Sequence, residues 1–349
     1  MFWLKDKTVL ITGGTGSFGK KCARILLEQA ELKRLILFSR DEQKHVALQR
    51  GMFPPAKFPQ VRYFVGDVRD EKRLRCALRD VDFVIHAAAM KHVDMAEYNP
   101  QECISTNIRG AENVIHTCID AGVEKVVALS TDKAASPINL YGATKLCSDK
   151  LFVACNSLSG QSGTRFAVVR YGNVLGSNGS VVPFFEQKRA SGVLPITDMD
   201  MTRFIITLEQ GVWFVLDSMQ RMVGGEVFVP KIPSTRIMDI AQAVAPECRT
   251  EVVGIRPGEK LHECMIPADE SRLAVEYADH YIIRPSQRSW SRETPYYETT
   301  GKPCARGFAY ASDTNDRWLT PEQLRQMIAE CSRPEVSPAP PTSRLRLVS

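Results

Sequence analysis

The residues of this chain with the clearest chemical potential lie in one stretch, Ser130-Thr-Asp-Lys-Ala-Ala-Ser-Pro-Ile-Asn-Leu-Tyr-Gly-Ala-Thr-Lys145. Tyr141 and Lys145 stand four apart at the start of a helical pattern, so their side chains share a face. A phenol of ordinary pKa, about 10, is a poor base at neutral pH. A neighbouring ammonium favours the phenolate. Tyr141 can then take the proton of an alcohol while hydride leaves the same carbon. Thr131, closing a β-rich run, can orient that hydroxyl. Asp132 and Lys133 follow directly and add an acid and an amine within reach of the same small molecule. An amphipathic helix pair would also read Tyr-x-x-x-Lys, and a loop salt bridge would also read Asp-Lys. What precedes them separates the readings.

A hydride needs an acceptor, and the first strand supplies the means to hold one. Thr12-Gly-Gly-Thr-Gly-Ser-Phe-Gly19 follows a short apolar run and opens a helix. Gly13 permits a tight turn, Gly16 lets backbone approach a pyrophosphate, and Gly19 allows close helix–strand packing. Thr15, Ser17 and Phe18 complete the cofactor contacts of this turn, whose helix N-terminus offers N–H groups to phosphate. A positively charged nicotinamide ring beside Tyr141 would add to the ammonium in favouring phenolate. The second strand ends Phe38-Ser39-Arg40-Asp41, with Lys44 a turn later. NAD sites usually place a carboxylate here for the ribose 2′-hydroxyl. Arg40 instead suits a 2′-phosphate bidentately, and Ser39 and Lys44 add a donor and a charge, so NADP is expected. Asp41 keeps a ribose contact open. Asp67 and Val68, after the third strand, suit adenine. Ala87 and Ala88, after the fourth, are small enough for backbone to pass beside the cofactor, with Lys91 just beyond.

These residues require a scaffold that gathers strand ends. Apolar runs at 8–12, 34–38, 61–65, 82–86, 125–129 and 165–169 alternate with helical patterns near 17–30, 41–50, 70–79, 99–121 and 141–159. Near-continuous apolar strands alternating with helices predict an α/β fold with a doubly wound parallel sheet, ligands sitting at the strands' carboxyl ends. Residues 1–171 are expected to form the NADP-binding Rossmann domain. Residues 172–331 should form a smaller C-terminal substrate-binding lobe, with some segments returning to the core. Proline-rich 332–349 reads as a disordered tail.

Composition narrows the function classes. The net charge of +5 is small and dispersed, which argues against nucleic acid. No apolar run reaches membrane-spanning length, and Lys5-Asp6-Lys7 interrupts any leader pattern, so a cytoplasmic protein is expected. Ten cysteines form no CxxC pair and read as reduced, mostly buried residues. His86, His92, His116 and His262 show no ligand spacing, so no metal is expected.

The glycine loop, Thr131 and Tyr141-x-x-x-Lys145 resemble the extended short-chain dehydrogenases/reductases. Thr131-Asp-Lys-Ala134, Pro137 to Lys145, Met201-Thr-Arg-Phe204, Gly172 to Ser180, Thr207 to Gly211, Phe228 to Pro233 and Gly254 to Glu263 resemble the inverting UDP-N-acetylglucosamine 4,6-dehydratases, which make the first intermediate toward pseudaminic acid. The likeness covers residues from about 4 to 285.

This resemblance implies oxidation at C4 of a UDP-sugar, loss of water across C5–C6, and hydride return to C6. Lys133 would be the C5 base and Asp132 the C6 acid. Retaining relatives carry Asp-Glu here, and 4-epimerases usually lack the pair. As a base, Lys133 must shed a proton near neutrality, which burial and nearby cations favour. Asn173 and the 178–180 backbone, with a helix over 181–191, would meet phosphate. Arg203 and Arg256 would clamp the diphosphate, Glu259 would take a ribose hydroxyl, and Lys91 would touch substrate or cofactor. A homodimer or hexamer is implied. The competing readings are a UDP-hexose 4-epimerase, a retaining dehydratase and a non-catalytic NADP-binding regulator.

Overall fold

Runs such as Thr8–Thr12 bury every side chain, which only a sheet covered on both faces allows. A computed structural model describes residues 1–160, 163–176, 180–288, 290 and 294–332. The expected strands are β1 (Thr8–Thr12), β2 (Arg34–Ser39), β3 (Val61–Val65), β4 (Phe83–His86), β5 (Lys125–Thr131) and β6 (Arg165–Tyr171). They lie parallel in the order β3-β2-β1-β4-β5-β6. Val227–Pro230 adds parallel to β6. His280–Ile283, Ala274–Glu276 and Lys302–Pro303 then continue the sheet antiparallel, making ten strands. C-terminal segments thus complete the main sheet.

Helices cover both faces: α1 (Ser17–Gln29), α2 (Glu42–Arg50), α3 (Glu71–Ala77), α4 (Val93–Tyr98), α5 (Pro100–Ile104), α6 (Gly110–Asp120) and α7 (Leu140–Ala154). Their starts follow capping chemistry. Asp41 accepts from the Lys44 amide at 3.0 Å, and Asn139 from the Gly142 amide at 2.7 Å. The stretch expected as one helix over 99–121 is interrupted by a wider turn at Ser105–Arg109. There Asn107 accepts from the Met90 amide at 2.8 Å and donates to the Thr144 hydroxyl at 3.0 Å. The wide turn therefore joins the loop after β4 to α7.

A second apolar cluster gathers Leu175, Val182, Phe185, Leu194, Ile196, Ile240 and Leu324. It is built from the helices Val181–Lys188, Ile237–Val244 and Pro321–Ser332 with short strands between. The first of these helices ends short of the expected 191, and a separate turn spans Arg189–Ser191. Thr320 and Gln323 exchange hydrogen bonds at the start of the last helix, as the Thr-Pro-Glu sequence implies. Of the tail expected over 332–349, Ser332 ends this last helix, and 333–349 lie outside the described residues. No described helix is long and apolar enough to cross a membrane.

One buried ion cluster pins α7 to the sheet. Arg170 on β6 lies 3.5 Å from Asp149 on α7 and 2.8 Å from Glu270. Asp149 also accepts from Ser130 at 2.7 Å. Removing the guanidinium leaves carboxylates facing each other without their cation. Arg170→Met should therefore lower unfolding free energy by about 3–5 kcal/mol. Urea denaturation at neutral pH measures this, and a loss below about 1 kcal/mol contradicts the role given to the cluster.

Candidate active site

The glycine turn is held by close backbone packing. Gly13 has φ of +67°, and a Cβ there would stand 2.9 Å from the Ala88 amide nitrogen. A Cβ at Gly19 would come within 2.6 Å of the Gly13 carbonyl oxygen. Gly16 precedes α1, and no side chain caps that helix, so Ser17 and Phe18 open it with backbone available to an anion. Thr15 and Ser39 join their hydroxyls at 2.8 Å, fixing the turn against the end of β2. Ala87 and Ala88 both donate to the Thr12 hydroxyl oxygen, at 3.1 and 3.2 Å. This bare-backbone cradle fits a dinucleotide. Arg40 and Lys44 stand exposed beside it.

Two expectations at this end meet competing contacts. Asp41 caps α2 and its side chain lies 2.9 Å from the Lys44 ammonium, which ties up the carboxylate that could have served a ribose. Asp67 already binds the Arg69 guanidinium at 2.7 Å and lies 4.0 Å from Arg40. An adenine amine would share that oxygen pair with Arg69. Val68 beside it is buried.

The reaction-centre residues converge where β5 ends. Thr131 donates to Asp132 at 2.9 Å and its oxygen receives the Lys133 amide at 3.3 Å. The Lys133 ammonium lies 3.1 Å from Asp132, 2.9 Å from Glu263 and 3.5 Å from the Asn173 side-chain oxygen. Tyr141 is within hydrogen-bond reach of Thr131, and both Tyr141 and Lys145 are buried. Two bonds tie the segment after Arg256 to this centre. Asn139 donates to the Gly258 carbonyl at 2.7 Å, and Lys260 to the Ala135 carbonyl at 2.6 Å.

This arrangement can be set beside known proteins. Residues 9–285 match the polysaccharide biosynthesis protein family. The chain belongs to that family. It is 54% identical over 328 residues to a UDP-N-acetylglucosamine 4,6-dehydratase (inverting) of Campylobacter jejuni, covering 92% of this chain and 97% of the relative. It is 37% identical to a UDP-glucose 4-epimerase of Rickettsia conorii, covering 93% of this chain and 95% of that one. Among solved structures, Pen from Bacillus thuringiensis shares 37% identity with a TM-score of 0.83, covering 95% of this chain and all of that one. The fold is the Rossmann-like one of the extended short-chain dehydrogenases/reductases.

For this family member, three expectations need correction. Arg203 is not an open diphosphate clamp. It is buried, and its guanidinium donates to the carbonyls of Thr202, Lys260 and Leu261 at 2.6–3.0 Å. It stands 4.0 Å from Glu263. Lys133 does not shed its proton readily. Burial pulls its pKa down, but the Asp132 and Glu263 carboxylates outweigh burial and the Arg203 charge, holding it well above the ordinary lysine value. Tyr141 is not a ready phenolate either. Burial pushes it up to about 12, only partly opposed by Lys133 and Thr131. Lys145 is lowered by burial, and so is Lys91.

Asp132 behaves as an acid should, its pKa raised first by burial and then by the Glu263 charge. Arg256 stays exposed, 6.0 Å over the Phe184 ring and 3.8 Å from Glu259. Asn178 and Gly179 lie outside the described residues. A separate cavity of about 510 Å³ is lined by Thr202, Arg236, His262 and Trp318 among others, and contains none of the reaction-centre residues. No cluster of His, Cys, Asp and Glu suited to a metal occurs among the described residues.

Sequence reasoning gave Glu263 no role, since nothing in its local spacing points to Lys133. It also missed His86. The Thr12 hydroxyl accepts two amides, so its hydrogen goes to the His86 Nδ1 at 2.8 Å, which must be unprotonated. Burial, helped by the Lys145 charge, pulls His86 down to about 3. A depressed folded pKa contributes stability above the unfolded value of about 6.5, lost as pH falls toward the folded value. The stability gap between the native chain and His86→Gln should therefore shrink by about 2 kcal/mol from about pH 6.5 to about pH 5. Denaturation at the two pH values measures it, and a constant gap would refute it.

Proposed function

We propose that this chain is an inverting UDP-N-acetylglucosamine 4,6-dehydratase using NADP. Its product would be UDP-2-acetamido-2,6-dideoxy-β-L-arabino-hex-4-ulose, a 4-keto-6-deoxy precursor of pseudaminic acid type. The observation that carries this reading is the Asp132–Lys133 pair, drawn together at 3.1 Å beside the buried Tyr141. The 54% identity to the Campylobacter jejuni dehydratase supports it.

In this scheme Thr131 orients the sugar C4 hydroxyl, and Tyr141 takes its proton as a phenolate, the form that the positive nicotinamide ring of bound NADP would favour over the neutral phenol. NADP, which the Gly13–Gly19 turn would hold with Arg40 and Lys44 toward its 2′-phosphate, would supply the hydride acceptor for C4 and the donor for C6. Once C4 is a ketone, the C5 proton is acidic enough for an amine base, Lys133. Asp132, whose hold on a proton is raised by its buried surroundings, takes up the proton released from the C4 hydroxyl and gives it to the departing C6 hydroxyl. Water leaves, and protonation of C5 on the opposite face inverts that centre. Lys145 supports Tyr141 from the next turn of α7. Asn173, Arg256, Glu259 and Lys91 are the residues assigned to substrate, with Arg256 the exposed cation for diphosphate. Arg203 supports the centre from behind through Glu263. We further assign the chain a cytoplasmic, homo-oligomeric existence, with residues 1–171 holding cofactor and 172–331 substrate.

Incubation with UDP-N-acetylglucosamine should give a product one water lighter, inverted at C5 by NMR, with no net cofactor consumed. Lys133→Ala should abolish water loss. The likeness to the Rickettsia conorii epimerase keeps a 4-epimerase reading in view. Interconversion of C4 epimers at constant mass, undiminished in Lys133→Ala, would establish that reading and end ours.

The cofactor choice has its own test. Arg40→Ala should weaken NADP binding by about ten- to a hundredfold, the loss of a charge-assisted contact, while NAD binding changes little. Calorimetric titration measures both, and equal losses for the two nucleotides would contradict a 2′-phosphate contact.

A further inference from the structure

Lys133 poses a difficulty for any scheme in which it removes a proton. Two carboxylates hold it as an ammonium, and an ammonium has no lone pair. Glu263, at the edge of strand Cys264–Ile266, is the nearer partner at 2.9 Å and is itself buried. One Glu263 oxygen faces Lys133; the other has no hydrogen-bond partner among the described residues. A buried carboxylate oxygen left without a donor is unusual and calls for an explanation. With no donor on that oxygen, the charge of Glu263 rests on the Lys133 contact and on Arg203 further off, which leaves the carboxylate open to taking the Lys133 proton. We infer that Glu263 is the proton-holding and positioning partner of Lys133, so that the two side chains work as one base toward C5. This rests on the dehydratase reading above.

The proton balance closes with water as the only outside source. In the resting pair the proton sits on Lys133 and Glu263 is ionised. Moving that proton along the 2.9 Å hydrogen bond gives an amine and a carboxylic acid. No charge crosses to solvent, and a drier site favours the uncharged pair over the ion pair. The amine then takes the C5 proton: the C5–H bond breaks, an N–H bond forms, and the electron pair enters the enolate over C4 and C5. Asp132 protonates the C6 hydroxyl as the C6–O bond breaks and water leaves. That proton is the one Tyr141 took from the C4 hydroxyl and passed to Asp132, so both return to their starting states. After C6 is reduced, the enolate takes a proton from water at C5 on the face away from Lys133, and the Lys133–Glu263 pair releases to water the proton it removed.

The surroundings of Glu263 fit this task. Arg203 approaches it from strand Thr202–Ile206, Lys133 and Asp132 from the turn after β5, and Lys260 lies on its own segment. Tyr141 completes the charged and titratable groups around Lys133. Burial pushes Glu263 up, yet Lys133 and Arg203 together pull it below its ordinary value, so it rests ionised. Arg203 thereby sets how readily Glu263 accepts the proton.

The test is the pH dependence of turnover for Glu263→Gln and Glu263→Asp. In the native chain the reactive pair carries one proton, so turnover should be level from about pH 6 to about pH 9. Glutamine keeps the shape but cannot hold the proton. Glu263→Gln should therefore turn over at least about a hundredfold more slowly near pH 7, and its rate should climb about tenfold per pH unit as Lys133 itself deprotonates. Glu263→Asp, which keeps the carboxylate, should be slower yet level. A Glu263→Gln profile parallel to the native one, at any rate level, would overturn the inference. Should that variant fail to bind cofactor, an alkaline-climbing Glu263→Asp would overturn it equally. If the native chain removes no water from UDP-N-acetylglucosamine, the dehydratase reading itself has failed; if it does, only the role of Glu263 is in question.

Discussion

A lysine ammonium drawn largely out of water needs an opposing charge, and everything around the reaction centre follows from how that constraint is met at the half-buried Lys133. Asp132 meets it from the adjacent residue and Glu263 from a distant strand. Because Glu263 lies near Arg203, and Arg203 is itself fastened to three main-chain carbonyls, the charge balance at Lys133 reaches into the segment 256–263. That segment also carries Arg256 and Glu259 and is hydrogen-bonded to Asn139 and Ala135. One half-buried cation thus couples the turn after β5 to the residues assigned to the nucleotide portion of the substrate.

The same logic explains why the protein has several buried ion groups rather than one. Asp149, below Lys145 on α7, is held by Arg170 and Ser130. His86 stays neutral because burial and the Lys145 charge disfavour its cation, and it accepts from the Thr12 hydroxyl that orders Ala87 and Ala88. Each group is fixed by partners from different elements, so each ties a strand end to the helix or loop that completes the site. Such networks stabilise only when fully paired, which makes the strand ends both precise in position and sensitive to substitution.

The sheet was highly legible. Strand runs such as Thr8–Thr12 and Val61–Val65 are apolar and β-branched, and glycine or capping residues punctuate the helices between them. Tyr141, Lys145, Thr131, Asp132 and Lys133 were legible as a group because they lie within one stretch, which the fold then brings to one strand end. What could not be read was long-range. Whether Arg203 faces a ligand or three carbonyls depends on the path of residues 260–262, and no local pattern encodes that path. The protonation states escaped for the same reason. Burial and nearby cations point to a lysine without its proton, and Lys145 to a ready phenolate, whereas the Asp132 and Glu263 carboxylates hold the proton on Lys133 and burial holds the proton on Tyr141. The break in the helix between α5 and α6 is a third case, where packing around Asn107 overrides helical continuity.

The central claim is that a proton leaves C5 of the sugar while hydrogen at C6 arrives from within the substrate. Turnover of UDP-N-acetylglucosamine in deuterated water, with the product examined by NMR, tests it most directly. The account predicts solvent deuterium at C5 and a C6 methyl group carrying none. Deuterium in the methyl group, or a C5 position that retains its original hydrogen, would contradict it.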